Sequence, residues 1–167
     1  MSTAAVRTVA LMAATISMGL VAGAFDLYAH TIMPGLGRTD DRTFVGAYQS
    51  IDRAIVNPWF IGGCFLGALA LTAAATFLSR GQPAFPWALA ALVAYAIAVV
   101  VTIAIHVPLN DAIKAAGDPD HISNLALVRT EFDESRWAAW NLLRVLTSTG
   151  AFVSLTWALV LHGRATA

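Results

Sequence analysis

Four long runs of apolar residues constrain this chain more than any other feature of its sequence. A helix that crosses a bilayer needs about 20 mostly apolar residues, and four windows qualify: about 6–25, 59–78, 87–107 and 137–161. Groups of Pro and Gly residues separate these windows, as expected of connections. Backbone polar groups in hydrocarbon need internal partners, so runs of this length favour helices. The sequence therefore predicts an all-α fold, a four-helix transmembrane bundle.

The overall composition supports a single integral membrane domain over residues 1–167. Of the residues 58% are hydrophobic and 12% are charged, whereas soluble domains carry about 25% charged residues. Ten basic and ten acidic residues give a net charge of zero, which excludes the basic footprint of a nucleic-acid-binding protein. A single cysteine, Cys64, excludes an intrachain disulfide. The expected partners are the lipid bilayer and a hydrophobic small molecule, and a homo-oligomer is left open.

The first window has a second interpretation as a signal peptide. Arg7 precedes its apolar run, and Ala22-Gly23-Ala24 resembles a cleavage site. The run is long for a signal peptide, and polar residues follow it directly. A first membrane span is therefore the favoured interpretation.

The two ends of the predicted bundle differ in charge. The basic end holds both termini and the connection between the second and third windows, with Arg7, Arg80 and Arg164 and no acid. The capped end holds the other two connections, where helices at about 40–57 and 110–135 are expected to cover the bundle. The basic end predicts cytoplasmic termini in a plasma membrane of bacterial type, although the capped end contains more Lys and Arg and so weakens that orientation.

Ionisable side chains in or next to the spans are concentrated at one depth, near the capped end. Such residues are costly in a membrane and usually functional, so we predict Asp26, Asp52, His106 and Arg144 as catalytic. Arg144 lies seven residues into the fourth window and needs a carboxylate, a substrate anion or water. Asp26 and Asp52 are the candidate carboxylates, and a purely structural ion pair is the alternative.

Neighbouring polar and aromatic residues are the predicted substrate contacts. Trp137, Asn141 and Arg144 fall on one helical stripe, and Asp26 and His30 share a face if the first helix continues. Tryptophans at such positions also serve as interface anchors. The predicted substrate-binding residues are His30, Gln49, Asn110, Trp137, Trp140 and Asn141.

A metal site is a further hypothesis. Two histidines and two carboxylates suit iron, copper or zinc, and Asp26, His30, Asp52 and His106 are the candidate ligands. No tight ligand motif supports the set, so the expected cofactor is none or an unidentified metal ion.

Several short blocks resemble one family of small membrane proteins. The blocks are Ala22-Gly23-Ala24-Phe25, Met33-Pro34-Gly35-Leu36, Asp41-Arg42-Thr43-Phe44-Val45, Tyr48-Gln49-Ser50-Ile51-Asp52, Asn57-Pro58-Trp59-Phe60, Val107-Pro108-Leu109-Asn110, and Trp137 with Trp140-Asn141 and Arg144. In this order they resemble the anthrone oxygenase-like family, much of which has no assigned function.

The resemblance implies a four-span helical membrane protein and an oxidoreductase. Characterised fungal members oxidise anthrones to anthraquinones with dioxygen, a monooxygenase activity of polyketide and natural-product biosynthesis, without a classical organic cofactor. The matching positions are Pro34, Gln49, Pro58, Pro108, Asn110, Trp137, Asn141 and Arg144.

Three residues depart from the pattern expected of the family: Asp26, Asp52 and His106. All three add ionisable groups at the capped end and favour acid–base or metal chemistry. His106 or Asp52 would deprotonate an anthrone-like carbon, and Arg144 with Asn141 would stabilise the enolate oxygen. A non-redox cyclase or isomerase using the same groups is the alternative, and a non-catalytic membrane protein is another.

Overall fold

The structure, a computed structural model, describes residues 2–166, and it confirms the all-helical prediction. Three segments are π-helical, with hydrogen bonds from residue i to i+5, and the part of the chain described contains no strand. In chain order the segments are α1 (Thr3–Leu27), π1 (Tyr28–Ile32), α2 (Met33–Leu36), α3 (Asp41–Ile55), π2 (Trp59–Leu66), α4 (Gly67–Leu78), α5 (Phe85–Val101), π3 (Thr102–His106), α6 (Val107–Ala115), α7 (Leu125–Phe132) and α8 (Glu134–Thr166).

Four helical stretches are long and apolar enough to cross a membrane, as predicted. They are span 1 (Thr3–Leu36), span 2 (Trp59–Leu78), span 3 (Phe85–Ala115) and span 4 (Leu125–Thr166). Span 2 has the predicted bounds. The other three are longer, because polar helical turns continue each span into the capped end, where hydropathy no longer marks them.

The spans pack in a ring, each against its neighbours in sequence, and span 4 closes the ring on span 1. Small residues on the inner faces bring the backbones close. A Cβ on Gly19 would lie 3.0 Å from the Phe152 ring, so Gly19 allows spans 1 and 4 to approach. Gly63 and Gly67 have a spacing that suggests a helix-packing face, but their nearest neighbours are Trp59 and Gly62 of their own span.

The capped end is built on α3, which matches the helix predicted at 40–57. Asp40 caps α3 by accepting the Thr43 backbone N–H at 2.9 Å and the Thr43 hydroxyl at 2.7 Å. These two hydrogen bonds lower the pKa of the Asp40 carboxyl. The second predicted region, 110–135, contains the end of α6 and all of α7.

A second apolar core seals the capped end. It consists of Met33, Phe44, Val45, Tyr48, Ile113, Phe132 and Trp137. Arg129 fastens this layer: it donates to the Thr39 carbonyl at 2.9 Å, contacts the carboxylates of Asp41 and Glu134 at 3.1 and 2.5 Å, and lies over the Phe44 ring. The cap is therefore a packed roof over the bundle, held by both apolar and ionic contacts.

Candidate functional site

A cavity of about 270 Å³ lies beneath this roof, between the capped-end halves of the spans. Most of its wall is apolar or aromatic. Its polar lining residues are Tyr28, Tyr48, Asp52, Thr102, His106, Asn110 and Arg144. A largely apolar pocket with a few convergent polar groups is the usual form of a small-molecule site.

The three π-helical segments surround this cavity. Tyr28 is on π1, Phe60 and Phe65 are on π2, and Thr102 and His106 are on π3, and all five line the space. A π-turn inserts a residue into a helix and widens it locally, and such turns occur often at functional sites. Because all three widened segments lie at the same level of the bundle, the helices leave a cavity there.

Asp52 is the carboxylate of the cavity and is only 5% exposed. Its Oδ1 accepts the Asn110 Nδ2–H at 2.6 Å. Lys114 Nζ lies 2.8 Å from Oδ2 as an ion pair, but no aligned hydrogen bond to Oδ2 is found within residues 2–166. Lys114 also contacts the exposed Asp111 at 3.1 Å. Asp52 is thus held in a fixed orientation by Asn110 and Lys114.

Asn110 connects Asp52 to the aromatic wall. Its Oδ1 accepts two hydrogen bonds, from the Tyr48 hydroxyl at 2.7 Å and from Trp137 Nε1 at 3.0 Å. Burial raises the pKa of the Tyr48 phenol above its usual range, and the nearby Asp52 carboxylate raises it further. Tyr48 therefore stays protonated and acts as a donor.

Arg144 is 6% exposed and lines the same cavity. It donates to Asn141 Oδ1 at 2.7 Å and to the Thr102 hydroxyl at 3.3 Å, and it lies 4.4 Å from the Phe25 ring centroid. None of the ion pairs within the described residues includes Arg144. The expectation that Asp26 or Asp52 would pair with it is wrong, because Asn110 and Lys114 hold Asp52 while Asp26 points outward.

The Nε of Arg144 is buried without a hydrogen-bond partner in the described part of the chain. Buried polar groups usually have one. Arg144 is therefore a buried cation in the cavity wall with no carboxylate partner among the described residues.

His106 lies in the cavity wall, as predicted, but its ring is poorly placed to act as a base. Nδ1 lies 3.5 Å from the Val101 carbonyl and Nε2 lies 3.3 Å from the Trp137 carbonyl. Neutral imidazole has a single N–H, so whichever nitrogen is protonated, the other faces a carbonyl oxygen. No ring lone pair is directed into the cavity. His106 therefore contributes to the cavity surface and not to proton transfer.

Three predicted site residues lie outside the cavity. The side chains of Asp26 and His30 are 57% and 59% exposed and contact each other at 3.3 Å. Trp140 is partly exposed on the outer surface of α8. The structure therefore does not bring Asp26, predicted as catalytic, or His30 and Trp140, predicted as substrate contacts, to the cavity.

Gln49 and Asn141 are buried but act through their neighbours. Gln49 Nε2 donates to the carbonyls of Ile113 and Gly117 at 2.7 and 3.0 Å and so fastens α3 to α6. Asn141 accepts from Arg144 and donates to the Phe25 carbonyl at 3.1 Å. Neither lines the cavity, so the structure does not bring these two predicted substrate contacts to it, and both side chains instead bind neighbouring residues.

The hypothesis of a four-ligand metal site is also wrong. Asp26 and His30 are together at the outer surface, whereas Asp52 and His106 are in the cavity. Within residues 2–166 no group of three or more His, Cys, Asp or Glu side chains is arranged to hold a metal ion.

Several residues of the site were absent from the sequence prediction. Tyr28, Tyr48, Phe25 and Thr102 all line the cavity, and Lys114 orients Asp52. Nothing in the sequence distinguished a residue of the cavity wall from a residue of the apolar core.

Comparisons with known proteins identify the family. The family model for anthrone oxygenase matches residues 57–154, more than half of the chain. That range contains His106, Asn110, Trp137 and Arg144, while Asp52 precedes it. No curated protein and no solved structure matches the chain. With this match across spans 2 and 3 and most of span 4, the chain belongs to the anthrone oxygenase family.

Proposed function

We propose that this protein is a membrane-embedded oxygenase that oxidises a hydrophobic, anthrone-like aromatic molecule with dioxygen in natural-product biosynthesis. The observation that carries the proposal is the separation of two buried charges. Asp52 and Arg144 line one apolar cavity, and Arg144 has no carboxylate partner among the described residues. A substrate between them would meet a base on one side and a cation on the other.

The proposed first step is removal of a proton from the substrate. Asp52 takes a proton from the CH₂ carbon opposite the ring carbonyl, and the electron pair moves onto the carbonyl oxygen. Arg144, held by Asn141 and Thr102, stabilises that enolate oxygen. Such a preorganised donor contributes most where charge develops, and a positioned base contributes about 10²–10⁴-fold.

The enolate then reduces dioxygen, so the oxidant is O₂ and the reductant is the substrate. One electron passes to O₂, the two radicals combine into a C–O–O⁻ bond, and the proton held by Asp52 gives a hydroperoxide. Loss of the second hydrogen from the same carbon as a proton breaks the O–O bond and releases water. The balance is CH₂ + O₂ giving C=O + H₂O, which needs no further reductant.

The aromatic wall suits a flat, planar substrate. Tyr28, Tyr48 and Trp137 form a contiguous group, with ring centroids 5.8 Å apart between Tyr28 and Trp137 and 6.2 Å apart between Tyr48 and Trp137. Aromatic rings at such distances favour tilted or edge contacts with further rings. A fused polycyclic substrate would contact this group while its oxygen faces Arg144.

A test separates proton abstraction from oxidation. The protein in lipid nanodiscs is given 1,8-dihydroxyanthrone. Exchange of the CH₂ hydrogens with D₂O is followed by mass spectrometry without oxygen, and O₂ uptake is followed in air, each measured above empty nanodiscs. We expect both reactions. Asp52→Asn should lower both by at least 100-fold, and Arg144→Gln by about 100-fold or more.

The matched control is Asp26→Asn, which removes a carboxylate that the structure places outside the cavity. It should keep full activity. Exchange without O₂ uptake would point to the non-redox cyclase or isomerase. Neither reaction above background with folded protein would overturn the proposal.

A further inference from the structure

The cavity reaches the surface of the protein at one side of the bundle. Four of its lining side chains are exposed, by between 44% and 62%, and all four are aliphatic. They are Val56, Leu66, Ile103 and Val107, and together we call them the mouth. Leu66 belongs to span 2 and Val56 lies on the connection just before it, whereas Ile103 and Val107 belong to span 3.

The mouth exists because spans 2 and 3 separate at the capped end. They pack together through α4 and α5 toward the basic end. At the capped end π2 packs against span 1 and π3 packs against span 4, and within the described residues π2 and π3 share at most a weak contact with each other. The two widened segments thus diverge toward opposite neighbours and leave a gap.

Part of the mouth lies further along span 2 than an exposed aromatic residue at the start of that span. Trp59 begins span 2 and is 71% exposed, the position typical of an aromatic anchor at the membrane interface. Leu66 is seven residues further into the span. On the aqueous side, the roof core with Phe44, Tyr48 and Phe132 covers the bundle.

We propose that the substrate reaches the cavity sideways from the bilayer through this mouth. This inference rests on the proposed function of the same cavity and defines its substrate class. The substrate is a flat, lipid-soluble polycyclic compound with a hydrogen-bonding oxygen at one edge. That edge enters first, because Asp52 and Arg144 are buried behind an aliphatic opening that offers no polar partner.

Single-cysteine labelling tests the route without relying on turnover. Cys64 is buried and is first replaced by Ala. Ile103→Cys and, independently, Leu66→Cys place a thiol in the mouth. Val100→Cys is the matched control, since it is 62% exposed on span 3 without lining the cavity. Ser50→Cys reports the exposed surface of the roof.

In proteoliposomes, lipid-soluble N-phenylmaleimide should label the mouth variants and Val100→Cys. A membrane-impermeant sulfonated maleimide should label only Ser50→Cys. Saturating 1,8-dihydroxyanthraquinone should slow labelling of the mouth variants at least tenfold and that of Val100→Cys less than twofold. Ile103→Trp should lower kcat/KM about tenfold, and Val100→Trp should leave it unchanged.

The inference is overturned if the sulfonated reagent labels the mouth variants as fast as Ser50→Cys, or if the anthraquinone gives no selective protection. It is also overturned if neither reagent reaches either mouth position, because another copy or element then covers the gap. Selective protection together with absent anthrone oxidation would preserve the mouth and refute the proposed reaction.

Discussion

Removal of Asn110 should show that its three hydrogen bonds act as one unit. Asn110→Ala leaves the Tyr48 hydroxyl, Trp137 Nε1 and Asp52 Oδ1 without the partners seen at 2.7, 3.0 and 2.6 Å. Tyr48 and Trp137 are 1% and 2% exposed, so water does not easily replace the lost partner. Each orphaned buried group costs about 1–3 kcal/mol. We expect a loss of about 3–5 kcal/mol in the free energy of unfolding.

A double-mutant cycle between Asn110 and Tyr48 gives this prediction a quantitative test. In the native background, Tyr48→Phe removes one hydrogen bond and should cost about 1 kcal/mol. In the Asn110→Ala background the hydroxyl has already lost its acceptor, so the same substitution should be neutral or stabilising. The cycle should therefore give a coupling energy of about 1–2 kcal/mol, within the range found for residues in contact.

The assay is reversible unfolding in mixed micelles with increasing SDS, read by circular dichroism. Val45→Ala in both backgrounds is the control, since Val45 is buried in the same core without a side-chain hydrogen bond. It should cost the same in each background. Strict additivity of Asn110→Ala and Tyr48→Phe would refute the view that Asn110 connects Asp52 to the aromatic wall.

Two further substitutions test the supports of the site and of the roof. Lys114→Met should lower kcat about fivefold, an effect of about 1 kcal/mol, because Asp52 loses the ammonium that orients it. Lys114→Arg should restore most of the rate, and equal rates for both variants would contradict that role. Arg129→Met should destabilise the fold by about 2–3 kcal/mol while KM changes less than twofold, measured by SDS unfolding and by kinetics. A large change in KM would place Arg129 in contact with the substrate instead.

The four spans were predictable because hydropathy is a local property of the sequence. Which face of a span points inward was harder to predict. Span 1 is apolar on all sides around Phe25 and Asp26, so no polar stripe indicates its rotation. In the structure Phe25 faces the cavity and Asp26, one residue later, faces outward. A helix turns about 100° per residue, which is enough to separate the two.

Amphipathic helices allowed better predictions. On α3, Asp52 and Gln49 were predicted as residues of the site, and both side chains are buried. Their partners were not predictable, because Lys114 and Gly117 are more than 60 residues away in sequence and come near only through the roof. The π-helical segments have no recognised sequence signal. Because they determine where the cavity forms, its position was not predictable from the sequence.

Replacing Arg144 distinguishes most clearly between a catalytic and a structural role for the buried polar residues. A buried ion pair that loses one partner is destabilised by about 3–5 kcal/mol, so a structural arginine should be costly to remove. Here Arg144 has no such partner in the described residues. Its replacement loses one strong hydrogen bond, to Asn141 at 2.7 Å, and the contacts with the rings of Phe25 and Trp137.

These losses amount to about 2–3 kcal/mol, whereas burying a poorly compensated charge costs several kcal/mol. Arg144→Met should therefore leave the free energy of unfolding unchanged or raise it by about 1–2 kcal/mol, while activity falls at least 100-fold. SDS unfolding and O₂ uptake on the same preparation measure both. Stability gained where activity is lost is the usual sign of a residue retained for function. A loss of 3 kcal/mol or more would instead show that Arg144 holds the bundle together.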